Sequence, residues 1–113
     1  MIRVVHVKEA SPEAIYVGRW MPGRKGSPLG NPVKPNDPKD EDERQQCLRY
    51  YKKILWQRMQ RETPQLAELR RIVELAKVGD VELACWCAPR SCHAEVIKAA
   101  VEYLMEAPSA SPE

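Results

Sequence analysis

The segment Val81-Glu82-Leu83-Ala84-Cys85-Trp86-Cys87 constrains the fold most. It is an apolar run of strand length with helical periodicity on either side. A strand set between helices does not close a tight hairpin with a chain neighbour. It pairs instead with strands from elsewhere in the chain, and the helices carry the crossovers. The rest of the chain fits that scheme. Arg3 to Val7 and Ala14 to Gly18 read as strands, joined by the turn-forming Glu9-Ala10-Ser11-Pro12-Glu13. Asp40 to Gln60 reads as a long helix. Leu48, Tyr51, Leu55 and Met59 recur on one stripe, Cys47, Tyr50 and Ile54 lie beside it, and acidic residues fill its first turn. Thr63-Pro64 is an N-cap followed by a first-turn proline, and opens a helix to about Lys77 with Leu66, Leu69, Val73 and Ala76 on one face. The last helix, Ser91 to Met105, is expected to bury Val96, Ile97, Ala100, Val101 and Leu104. The order β-β-loop-α-α-β-α predicts one α/β domain over residues 1–106, a small, mainly parallel, Rossmann-like sheet flanked by helices. The Pro/Ser-rich tail, 107–113, is expected to be disordered.

Composition sets bounds on function. At 113 residues a single core stabilises a domain without disulfides. A net charge of +2 does not by itself point to nucleic acid. On the long helix, Arg44, Arg49, Lys52, Lys53, Arg58 and Arg61 interleave with apolar positions, so a solvated face is expected there rather than a nucleic-acid surface. No stretch is apolar for the ~20 residues of a membrane span. The N-terminal Met1 to Val7 is too short for a signal peptide. Cys85 and Cys87 lie on one face of one strand and Cys47 stands alone in a helical pattern, so reduced thiols in the cytoplasm are expected.

Chemistry concentrates in Cys85-Trp86-Cys87-Ala88-Pro89-Arg90-Ser91-Cys92-His93. A strand-to-helix junction in an α/β fold opens into a crevice, and the helix start points N–H groups at anions. Alternation places Cys85 inside and Cys87 near the crevice. Ser91 is a natural N-cap, and Cys92 in the first turn is placed where thiolate is favoured. Three readings compete. One is a catalytic or ligand-binding site built on Cys92 and His93. Another is a zinc site, which the C-x-C-x4-C-H spacing suits poorly, so no metal and no cofactor are expected. The last is buried cysteines acting as small hydrophobes.

A second segment, Gly26-Ser27-Pro28-Leu29-Gly30-Asn31-Pro32, lies in a long Gly/Pro-rich loop that has four basic residues and no acidic one between Arg19 and Lys34. Glycines allow close backbone approach to a ligand, and prolines hold their neighbours extended. Trp20, Met21, Leu29 and Val33 imply that the loop packs rather than floats.

Together with Tyr16-Val17-Gly18-Arg19, these two segments resemble an uncharacterised small domain family of bacteria, archaea and their phages. Its pattern looks like an N-terminal Gly-Ser-x-x-Gly-Asn-Pro and a C-terminal Cys-x-Cys-x-Pro-x-x-Cys-His. The likeness spans roughly residues 3–105, with Ala94 where relatives often carry Gly. It implies that both motifs belong to one site, and it brings no activity with it. By analogy, the phage context and the α/β crevice suggest handling of nucleotides or nucleosides.

The expected function is binding of a small anionic ligand, a nucleotide or nucleoside derivative, and its processing if Cys92 is a nucleophile. Gly26, Ser27, Gly30 and Asn31 form one wall; Cys87, Arg90, Ser91, Cys92 and His93 form the other. Arg19 and Arg90 hold phosphate, and His93 is a general acid/base. The alternative is a structural zinc or thiol-rich interaction module. His6 would join the site if its strand were central; otherwise it is a hydrogen-bonded core residue. Trp86 is expected to pack in the core.

Overall fold

The computed structural model describes residues 1–18, 25–30, 36–37, 39–86 and 93–106. Its strands are β1 (Ile2–His6), β2 (Ile15–Tyr16) and β3 (Val81–Cys85). Its helices are α1 (Glu41–Arg58), α2 (Pro64–Val78) and α3 (His93–Glu106), and a 3-10 turn, Val7–Glu9, follows β1. The sheet order is β1-β3-β2 and both pairings are parallel. The strand enclosed by helices in the sequence is thus the central one. All three carboxyl ends share an edge, with His6 opposite Cys85 and Tyr16 opposite Ala84. The ladder runs one bond past β2, where the Val17 N–H donates to the Ala84 carbonyl at 3.0 Å.

The helices start where local chemistry allows. The Asp40 carboxylate accepts from the N–H groups of Asp42 and Glu43 at the head of α1. The Thr63 hydroxyl accepts from Leu66 N–H and donates to the Arg58 carbonyl, so one side chain both caps α2 and ties it to the end of α1. Val81, Leu83 and Cys85 face a core formed with Leu69, Ile72, Ile97 and Val101. Ala84, on the sheet's other face, is buried as well, whereas Arg3 on that face is exposed. Truncating a fully buried Leu such as Leu83 is expected to cost about 2–5 kcal/mol.

Four expectations need correction. β3 ends at Cys85, because Trp86 bends away and is 43% exposed rather than packed in the core. Tyr50 lies off the apolar stripe of α1 and is 54% exposed, since the helical turn carries it to the outer face. Val96 and Leu104 are only half-buried, on the flanks of α3. The β1–β2 connection is not a plain turn: the His6 Nδ1 accepts from Lys8 N–H at 3.1 Å and starts a 3-10 turn. The tail expected from residue 107 lies outside the described residues.

Candidate functional site

The described parts of both motifs converge on the carboxyl end of β2. The His93 Nε2 lies 2.7 Å from the Val17 carbonyl. A carbonyl only accepts, so Nε2 carries the proton and the ring's acid/base lone pair belongs to Nδ1. One residue on, the Gly18 carbonyl accepts from Ser27 N–H at 2.9 Å. Two consecutive carbonyls thus hold the start of α3 and the Gly-rich loop.

The loop is tightly built. The Ser27 carbonyl accepts from Gly30 N–H at 2.9 Å, and its hydroxyl oxygen accepts from Leu29 N–H at 3.0 Å. That hydroxyl keeps its own proton to donate. Gly30 lies so near the chain opposite that a Cβ there would sit 3.0 Å from the Gly18 oxygen and 3.2 Å from the Ser27 oxygen. Close backbone approach, rather than an unusual backbone angle, requires this glycine. Leu29 is fully buried, as packing of the loop demands.

Tyr51 on α1 completes the circuit. Its buried hydroxyl donates to the Leu29 carbonyl at 2.7 Å, and its ring meets His93 edge to face with centroids 5.4 Å apart. Sequence reasoning placed Tyr51 in an apolar stripe and missed this role. A buried Tyr needs a hydroxyl partner, and that was the available signal.

Of the expected site residues, Gly26, Ser27, Gly30 and His93 fall among the described residues and gather here. Arg19, Asn31, Cys87, Arg90, Ser91 and Cys92 lie outside them. His6 is on an edge strand, so the condition for its joining the site is not met. Its ring stands against Trp86, centroids 5.7 Å apart, at the β1 side of the same sheet edge. Cys85 is wholly buried and Cys47 half-buried. Among the described residues no group of three or more His, Cys, Asp or Glu side chains is placed to hold a metal ion. Nor, among them, is any helix long and apolar enough to cross a membrane.

The family model described as Domain of unknown function (DUF4326) matches residues 2–103. The chain belongs to this family. The match takes in every described element from β1 through most of α3, so the convergence on Val17 and Gly18 lies within the DUF4326 domain. No curated protein and no solved structure matches the chain.

Proposed function

We propose that the junction of the Gly26–Pro32 loop with the Cys87–His93 segment binds a small anionic ligand, a nucleotide or nucleoside derivative. The observation that carries this reading is the shared anchorage of the two segments, with Ser27 on Gly18 and His93 on Val17. Strand carboxyl ends are where open α/β sheets bind ligands, and helix starts favour phosphate. The Ser27 hydroxyl, which keeps its proton, supplies a short polar contact, and Arg19, Arg90, Ser91 and Asn31 supply charge and hydrogen bonds. If the ligand is processed, Cys92 is the nucleophile and His93 the general acid/base. The setting fitting reduced thiols is the cytoplasm, and the family likeness suggests phage-related chains.

Calorimetric titration of the full chain with nucleoside mono-, di- and triphosphates and free nucleosides tests this. Saturable binding that requires the phosphate and weakens in Ser27→Ala and Arg90→Ala supports it. Heatless titrations throughout the panel count against it. One zinc per chain, with unfolding on chelation, would replace it with the zinc-module reading.

A further inference from the structure

Past Arg44, which pairs with Glu41 at 3.7 Å, the basic residues along and just beyond α1 form a surface without ion-pair partners among the described residues. From Arg44 to Arg61 there are six basic residues and no acidic one, in a chain whose net charge is only +2. Arg49, Lys52, Lys53, Arg58 and Arg61 are exposed, and among the described residues none of them makes an ion pair. Elsewhere Arg3, Arg70, Arg71 and Lys77 each face a carboxylate, those of Glu82, Glu62, Glu68 and Glu74, and the cations without an ion pair among the described residues, Lys8, Lys25, Lys39 and Lys98, are scattered singly along the chain. Helical spacing puts Arg49, Lys52, Lys53 and Trp56 on one outward stripe.

Aromatic surface accompanies this charge. Trp56 is 37% exposed and stands edge to face against Tyr103, itself 46% exposed, with centroids 5.1 Å apart. Trp56 and Lys52 rim a cleft of about 310 Å³ between α1 and α3, floored by Leu55, Met59, Val96 and Ala100. Glu95 stands in the lining on the α3 side.

We infer that this face binds single-stranded nucleic acid. The phosphates follow Arg49, Lys52 and Lys53, and one base enters the cleft against Trp56. Cations without carboxylate partners are free to replace the counterions of a phosphate backbone. An exposed ring beside them stacks on an unpaired base, a contact indifferent to sequence. A duplex keeps its bases stacked within and offers the ring nothing. Glu95 repels phosphate from the α3 side and presents an acceptor to a base N–H, such as N3–H of thymine or uracil. The exposed aromatics turn a merely solvated charged face into this site. The inference does not rest on the nucleotide pocket at the β2 end.

Fluorescence anisotropy of the full chain with labelled oligothymidylate and oligouridylate of about 12 nucleotides tests it. The expected result is saturable binding with a log–log salt slope of about −2, as for three phosphates on a single strand. Combined Arg49→Glu, Lys52→Glu and Lys53→Glu should weaken binding at least about ten-fold with unchanged circular dichroism; Gln replacements serve if charge reversal unfolds the chain. Trp56→Ala should cost about ten-fold and leave the salt slope alone, with Trp56→Tyr recovering most of the affinity. Absence of binding at low salt overturns the inference, as does affinity untouched by these substitutions. Equal affinity for a duplex or for polyglutamate overturns it too.

Discussion

The imidazole of His93 stands edge to face against the ring of Tyr51, with planes at 81°. Each side chain also holds a different backbone carbonyl, His93 that of Val17 and Tyr51 that of Leu29. Tyr51→Phe keeps the ring and removes the buried donor, so it should cost about 1–3 kcal/mol in denaturant unfolding. His93→Ala removes a hydrogen bond and a ring contact at a half-buried position, and should cost about 1–3 kcal/mol while leaving unfolding cooperative. The double variant should cost less than the sum, because the two residues touch.

Gly30 is required by the closeness of Gly18. In Gly30→Ala the new methyl presses on backbone, which yields less readily than a side chain. Overpacking of this kind costs about 1–3 kcal/mol, read by thermal or denaturant unfolding. At Gly18 a Cβ would fall closer to the Tyr16 ring than any contact it would make at Gly30, so the ring has to shift and Gly18→Ala should destabilise as well, read by the same unfolding curves.

Glu82 gives the fold an acid-sensitive contact. Its carboxylate accepts from Ser11 N–H at 2.9 Å and from Arg3 at 2.6 Å. The Ser11 N–H is the main reason its pKa lies below the usual carboxylate range; partial desolvation works against this, and the Ser11 hydroxyl and Arg3 add to it. A carboxyl more acidic when folded than unfolded stabilises fully above its unfolded pKa, and that stability is lost as pH falls through its folded pKa. Glu82→Gln should therefore be less stable than the parent near neutral pH and converge with it in acid. Unfolding curves across that range check the sign.

Thiol reactivity should rank by environment. Cys85 is wholly buried and should resist alkylation in the folded chain. Cys47 is half-buried on α1 and should react slowly. Cys92, expected at a helix start, should react first. Timed alkylation at neutral pH with peptide mapping gives the order. If Cys92 reacts no faster than an unfolded thiol, the nucleophile role falls and ligand binding alone remains.

Much of this fold is legible in local patterns. The apolar run at Val81, the Thr63-Pro64 start and the acidic head of α1 each follow from short-range chemistry, and the elements lie where those signals put them. Tertiary relationships are less legible. Nothing near His93 in sequence announces Val17, 76 residues away, as its partner. Tyr51 looks like any apolar stripe position until its hydroxyl finds Leu29. Trp86 reads as core because large aromatics usually pack, yet β3 ends before it and leaves it half in solvent. In each case the deciding contact comes from a distant segment that hydrophobic periodicity does not encode.

We propose that the Gly-rich loop and the Cys–His junction form one ligand pocket. Amide NMR titration of the full chain with the nucleotide panel tests it most directly. A phosphate-bearing nucleotide should shift Ser27, Gly30, Asn31 and His93 together, along one binding curve, and Ser27→Ala should weaken that curve. Shifts confined to α1, or amides of the two motifs that never respond to the same ligand, would contradict it.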